Sequence, residues 1–448
     1  MSRVLSRIVR ICWIVAVVLT GFAGAGHHSQ AVETRDPNIV PAQITLEALV
    51  ADVLAKNLEL KFYEAEISAA TGERRTAAVW QNPELSTSVG QKKITVGDLS
   101  DEGVAWAVSV QQTIEWPGRI PLRKAIADRQ MRLAELGLER FKASLASRTR
   151  ILAYNLFAAQ EKSAAAAEVA DRFRKLREVL VQRDPAGLTP QLETRIIEAS
   201  ELTLQRNATD AVLEVQAALL ALNQLRGQPW TGILTVLPVK LDFRPAPDQE
   251  ALLTAAQANN FELQMRRSEL EQQGFKVALA RRDGYPSITV APYYSEEQAG
   301  DREQQFGVGV SLALPIWNRN KGAVATAEAR RVQAETSIEV TQRDLDRRVI
   351  ESALTYRTKV AEMRRWRPES VEEFRAAAEL ADRHYRLGAV PVATYVELQK
   401  QYLAAVEALL DTRREALEAG QLIQLLTGVE INVGTSSETG HGPEPVKP

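Results

Sequence analysis

Three observations predict a mainly helical fold with a smaller β component, arranged as two tandem copies of one long unit. First, residues recur 201 positions apart: Phe173-Arg174 matches Phe374-Arg375, Gly187 and Pro190 match Gly388 and Pro391, and Trp116 matches Trp317. Upstream the offset drifts by two, pairing Asn57 with Asn260 and Pro83 with Pro286. Second, each copy holds a charged, Ala-rich, helix-forming stretch of about 65 residues, on the order of 100 Å at 1.5 Å per residue. Third, two segments of period-two character precede each of these stretches. A repeat of about 200 residues exceeds the roughly 20–50 of solenoid modules, so it reads as duplication of a domain-sized element.

The chain opens with a targeting segment, residues 1–31. Arg3, Arg7 and Arg10 form a basic region, Ile11 to Leu19 is an apolar run, and small residues offer cleavage after Ala25 or Ala31. A membrane anchor is the rival reading, and the shortness of the run speaks against it. Cys12, the only cysteine, lies inside that run, so the mature chain carries no disulfide framework and no thiol chemistry. Loss of Arg3, Arg7 and Arg10 takes the formal charge from −2 to −5, which speaks against a nucleic-acid partner. Beyond the leader no apolar run approaches the roughly 18 residues of a spanning helix, a test that does not detect barrel strands.

A linker, 32–44, leads into the first copy, 45–228. Two modest helices, Leu46 to Lys56 and Leu60 to Trp80, end before Asn82-Pro83, because the residue before proline disfavours helix. Strands are expected at Glu84–Gln91 and Val104–Glu115, within a strand pair at 84–115, flanking a polar loop from Lys92 to Gly103. The long helix follows at 119–184, with Pro121 tolerated at its start. A Gly- and Pro-containing turn, with Gly187 and Leu188, ends it, and a return helix occupies 190–226. The return helix shows strict 4-3-4-3 spacing at Leu204, Ala208, Ala211, Val215, Ala218, Leu222 and Leu225, a narrow coiled-coil seam.

After an inter-repeat linker, 229–247, the second copy, 248–429, repeats this order. Helices at Asp248–Asn259 and Glu262–Asp283 precede a strand pair at 287–314, whose strands flank a polar loop from Ser295 to Gln304. The long helix, 322–387, contains Pro368 and should kink or break there. The turn Leu387-Gly388-Ala389 leads to a return helix at 391–427, with its seam at Ala405, Leu409, Thr412, Ala416, Ala419, Ile423 and Leu426. The tail, 430–448, is rich in Gly, Ser, Glu and Pro and reads as disordered.

Strand lengths of about 8 to 12 residues suit a tilted membrane crossing. Four strands cannot close a barrel, since single-chain bacterial barrels need at least eight, and an open edge cannot face lipid. Two, three or four copies would therefore have to pool 8, 12 or 16 strands. Trp116 and Trp317, where strand gives way to long helix, and Trp106 within a strand are the candidate membrane-interface aromatics.

Catalytic constellations are not found. His27, His28 and His441 lie near the termini, and His384 stands alone on a helix. No metal-ligand spacing, carboxylate pair, phosphate loop or Gly-x-Ser-x-Gly appears, so no enzyme activity, cofactor or metal site is expected. Asp184 and Asp382 are the acidic residues nearest the turns, and neither is assigned a role.

Along nearly its whole mature length the chain resembles the TolC-like outer-membrane factors of tripartite efflux systems. Asn82-Pro83-Glu84-Leu85 and the segment Gln112 to Arg119 carry the resemblance, together with Leu314-Pro315-Ile316-Trp317-Asn318-Arg319-Asn320-Lys321-Gly322. Both of these post-strand segments, with Ala186 to Pro190 and Tyr385 to Pro391, are similar to the heavy-metal, CzcC-like branch. The resemblance implies a homotrimer whose 12-strand barrel in outer-membrane lipid continues as a periplasmic α-helical barrel. It also implies a periplasmic adaptor docked at Gly187, Leu188, Leu387, Gly388 and Ala389, and an inner-membrane pump of the resistance-nodulation-division type. Exported heavy-metal cations such as Co, Zn, Cd, Ni or Cu are the implied cargo, with drugs, solvents or a secreted polypeptide as the alternative. A soluble periplasmic coiled-coil adaptor shares the hairpins and the seam but does not explain a strand pair before each long helix.

Overall fold

The computed structural model describes residues 42–96, 99–183, 191–229, 234–236, 241–366, 370–431 and 433–435. The leader, Gly187, Leu188, Asp184 and Pro368 lie outside them. The helices are α1 (Leu46–Lys56), α2 (Glu59–Ala77), α3 (Arg119–Arg183), α4 (Gln191–Arg226), α5 (Gln249–Asn259), α6 (Phe261–Arg282), α7 (Lys321–Arg365), α8 (Ser370–Arg386) and α9 (Val392–Thr427). Strands β1 (Ala42–Ile44), β2 (Glu84–Val96) and β3 (Leu99–Ile114) precede α3, and β4 (Leu234–Val236) and β5 (Leu241–Phe243) lie between α4 and α5. Strands β6 (Ile288–Ala299) and β7 (Asp301–Leu312) precede α7, and β8 (Val433–Thr435) follows α9.

The helices pack side by side in four columns. Helix α3, 65 residues long, spans its column alone; α2 and α4 line one flank of it, α6 and α9 the other. Helix α7, continued by α8, packs beyond α6 and α9. The second long helix stops short of Pro368: α7 ends at Arg365, with Trp366 extended at ψ 134°, and the next described helix, α8, covers Ser370–Arg386.

Two stacked columns are spliced by repeat-related asparagines. Asn57, buried, accepts from the Glu59 amide at the start of α2 and donates from Nδ2 to the Leu225 carbonyl at the end of α4 (2.9 and 3.0 Å). Asn260 does the same between α6 and α9, accepting from Leu263 N (3.0 Å) and donating to Leu426 O (3.1 Å). Each side chain satisfies an orphan amide of one helix and an orphan carbonyl of the next. The stacked dipoles run head to tail, which favours the junction.

The seams on the return helices pack on α3 and α7, with Ala208, Ala211, Val215, Ala218, Ala405 and Leu409 half-buried and the rest buried. Leu204, Leu222 and Leu225 are buried on α4, as are Thr412, Ala416, Ala419, Ile423 and Leu426 on α9. Tyr154, Val169 and Phe173 of α3 join Ala378 and Ala381 of α8 and Tyr395, Tyr402 and Leu410 of α9 in the largest core cluster. A second cluster joins α5, α6, α7 and α9, and two smaller ones join α1 and α2 to α3 and α4.

Strands β2-β3-β6-β7 form one antiparallel sheet in that order. The expected polar loops are not loops. Lys92, Lys93, Glu102 and Gly103 continue the β2–β3 ladder, and Glu296, Glu297 and Gln304 the β6–β7 ladder, whose turn is Gly300 alone. Backbone pairing continues because ladder hydrogen bonds do not require apolar side chains. The tail is also partly ordered: Val433–Thr435 pairs antiparallel with Leu241–Phe243.

Candidate channel wall and helical turn

Cross-strand partners share a face, so the register sorts the sheet into two surfaces. One carries Leu85 and Val89 of β2, Val104, Trp106, Val108, Val110 and Ile114 of β3, Ile288, Val290, Pro292 and Tyr294 of β6, and Phe306, Val308, Val310 and Leu312 of β7. The other carries Ser86, Ser88, Gly90, Ala105, Ala107, Ser109, Thr113, Thr289, Ala291, Ser295, Gly307, Gly309 and Ser311. The apolar face is open to its surroundings: Val89 and Phe306 are each 81% exposed and Val310 is 70% exposed. An uncovered apolar surface of this extent calls for an apolar environment. Both edge strands, β2 and β7, keep one row of backbone groups without a strand partner among the described residues.

The polar surface has its own chemistry. Thr113 and Thr289 share a hydrogen bond of 3.1 Å. Lys92 reaches Glu297 on β6 (2.6 Å) and Glu303 on β7 (2.7 Å), passing over Gly103, its cross-strand partner. Tyr293 reaches over Gly307, where a Cβ would meet the end of its ring at 2.7 Å and displace it. At the same end the apolar face gives way to paired charges, Lys93–Glu102 (2.6 Å) and Arg302–Glu296 (2.7 Å).

Aromatic residues mark both borders of the apolar face. Trp106 packs on Tyr294 (5.4 Å) beside the charged end, and Phe306 is the cross-strand partner of Tyr294. At the helical end Trp116 is half-buried and stacks on Tyr285 (5.0 Å, 11°), whereas Trp317 is 93% exposed. The repeat-equivalent tryptophans therefore occupy unlike settings. The sequence could not separate them, because the difference comes from Tyr285, a partner distant in sequence.

Arginines tie the sheet to the helices. Arg119 donates to the Tyr285 carbonyl (2.6 Å), the Arg282 carbonyl (3.1 Å) and Ser287 Oγ (2.8 Å), and pairs with Asp283 (3.1 Å). Arg123 pairs with the buried Glu115 (2.8 Å).

At the far end, α8 stops in a turn of the type expected from Gly388. Its φ is +73°, its amide donates to the Tyr385 carbonyl (2.9 Å), and the Ala389 amide donates to the His384 carbonyl (2.9 Å). This is a Schellman arrangement, and its left-handed residue favours glycine. Leu387 is 81% exposed, Gly388 and Ala389 are exposed, and Pro391 caps α9. Below the turn Tyr385 stacks on Tyr395 (5.2 Å), which packs on Phe173 (5.1 Å). Asp382 pairs with Arg386 (2.9 Å). Among the described residues no group of three or more His, Cys, Asp or Glu could hold a metal ion, and no helix is long and apolar enough to cross a membrane.

Residues 252–429 match the outer membrane efflux protein family. Over 297 residues the chain is 25% identical to the cobalt-zinc-cadmium resistance protein CzcC of Cupriavidus metallidurans, covering 65% of this chain and 68% of that protein. Its fold is similar to the outer-membrane channel OprN (TM-score 0.70, 19% identity, 86% of this chain and 89% of that one). It is likewise similar to the CmeC outer membrane channel of Campylobacter jejuni (TM-score 0.68, 16% identity, 93% and 95%). The resemblance to TolC-like efflux factors read from the sequence is thus borne out. Proteins of this family are channels, not enzymes.

Proposed function

We propose that this chain is the outer-membrane channel subunit of a tripartite efflux system, a passive duct whose driving force comes from a separate inner-membrane pump. The two-faced sheet carries the reading. An apolar face suits lipid, a face of Ser, Thr, Ala and Gly suits a water-filled lumen, and two unpaired edges suit closure with further copies. Three copies would give a 12-strand barrel, the oligomer of TolC-like factors. The two outer helical columns also carry exposed apolar residues along their length, Leu202 and Leu213 on α4 and Val340 and Leu354 on α7, as surfaces between copies require. Leu387, Gly388 and Ala389, with Gly187 and Leu188 of the first copy, are the proposed adaptor-docking turns.

The cargo is proposed to be a heavy-metal cation, on the similarity to CzcC. A water-filled duct needs no stoichiometric ligands, so selection would rest with the pump. Fractionation and gene deletion test the two levels separately. The chain is expected in the outer-membrane fraction as a trimer, and recovery in the soluble periplasm without detergent would refute the channel. The deletion strain is expected to become sensitive to Co, Zn, Cd, Ni or Cu salts. Unchanged metal tolerance with lost tolerance of dyes or antibiotics would move the cargo to organic compounds.

A further inference from the structure

At the helical end of the apolar face lies a notch of about 580 Å³, lined almost wholly by apolar atoms of Trp80, Ile114, Trp116, Ile120, Pro286 and Ile288. Ile114 and Ile288 belong to the apolar face, so the notch continues the surface assigned to lipid. Its floor is the first turn of α3, the positive end of that helix dipole.

Cations without carboxylate partners border it. Arg282 lies against Gly118, a lining residue, and donates to the Pro117 carbonyl (3.1 Å); it forms no ion pair among the described residues. Lys124 stands one turn beyond Ile120 on the same face of α3 and is exposed. At the equivalent junction of the second copy, Arg319 and Lys321 follow the exposed Trp317. The side chains of Lys124, Arg319 and Lys321 make no hydrogen bond or salt bridge among the described residues, although most arginines elsewhere on the helices are paired. Glu115, which also lines the notch, is paired with Arg123 through Oε1 while its buried Oε2 has no partner among the described residues, and the carboxylates farther out are engaged: Asp283 by Arg119, Glu328 by Arg281, and Asp128 by Arg74.

Resting on the membrane reading above, we infer that this notch binds one phospholipid of the periplasmic leaflet. An acyl chain lies against Trp80 and Trp116, and the phosphate meets Arg282 and Lys124. An apolar slot continuous with the lipid face, rimmed by unpaired cations at headgroup level, fits an anionic phospholipid better than a protein segment.

The test uses the full chain purified as its trimer in detergent, with phosphatidylglycerol or phosphatidylethanolamine added and retention read by native mass spectrometry. Wild type is expected to keep phosphatidylglycerol in preference to phosphatidylethanolamine, up to one per chain. Lys124→Gln touches no partner and should cut retention about fivefold, and adding Arg282→Gln should cut it by a similar factor again. Unchanged retention in both variants overturns the inference. So does a Trp80→Ala variant whose trimers fall apart while lipid retention stays constant, since that assigns the notch to a second copy. Recovery of wild type in the outer-membrane fraction tests the underlying reading independently. A chain found there that retains no phosphatidylglycerol refutes only the lipid site.

Discussion

Asn57 and Asn260 each join two helices that the chain itself connects only through a long excursion. Because both side chains are buried with donor and acceptor satisfied, truncation leaves an unpaired amide and an unpaired carbonyl. Asn57→Ala and Asn260→Ala are each expected to cost about 1–3 kcal/mol, read as a lower temperature of thermal unfolding. Asn57→Asp keeps the acceptor but loses the amide donor, so it should recover part of the loss. Beside the first joint, Asp52 pairs with Lys56 (2.5 Å) and Arg226 (2.9 Å). Burial pushes its carboxyl up, but the hydrogen bonds and charges of Lys56 and Arg226 outweigh this and hold it below the ordinary value. Its contribution is therefore present above the unfolded-state pKa and is lost as pH falls through the lower folded value. Asp52→Asn should lower stability at neutral pH, and its deficit should shrink at a pH low enough to protonate Asp52 in both states. Equal deficits at both pH values would show that the pair contributes no charge effect. The asparagine pairing itself was legible as a repeat match; its role was not, because the partner carbonyls lie far away in sequence.

At the scale of elements, the sheet is where sequence reading succeeded in kind and failed in extent. Alternation was visible wherever one side of a strand faces the apolar surface, as in Val104 to Val110. It faded at Lys92, Lys93, Asp101 and Glu102, which are still paired, because composition reports the surroundings of a strand and not its hydrogen bonding. The two faces make opposite predictions for one substitution. Val308→Arg sets a guanidinium on the apolar face and should destabilise the assembly by about 2–4 kcal/mol if it lies at mid-bilayer. Ser109→Arg on the polar face should leave assembly intact and narrow the duct. Matching losses of trimer from both variants would contradict the assignment of faces. The turn at Gly388 offers a third case. A Cβ there meets nothing within 4 Å, so Gly388→Val acts through backbone strain alone, about 1–2 kcal/mol. Trimers should still form but export should fail; full metal or drug tolerance would remove adaptor docking from this turn. The end of α7 was legible from Pro368, whereas the pairing of the tail with β5 was not, since three residues carry too little pattern to read.

For the whole molecule, the sequence argues for an oligomer in one respect only: four strands are too few to close a barrel. How many copies join them is not written in a single chain, because closure depends on edges that meet only in the assembly. The four-column layer leaves two helical flanks uncovered, just as the sheet leaves β2 and β7 unpaired. Both sets of open edges call for the same completion, which is why the channel reading extends from the strands to the helices.

The stacked columns also constrain the order in which the chain can fold. The Asn57–Leu225 contact spans 168 residues and the Asn260–Leu426 contact spans 166. Neither column exists until its own return helix has been delivered, and closing so long a loop is entropically costly before any native contact rewards it. Yet each contact stays within one copy, so the first half can complete its column while the second is still emerging. The duplication thus divides one slow search into two shorter ones in sequence, and the sheet, which takes two strands from each copy, completes its apolar face only after the second copy has emerged.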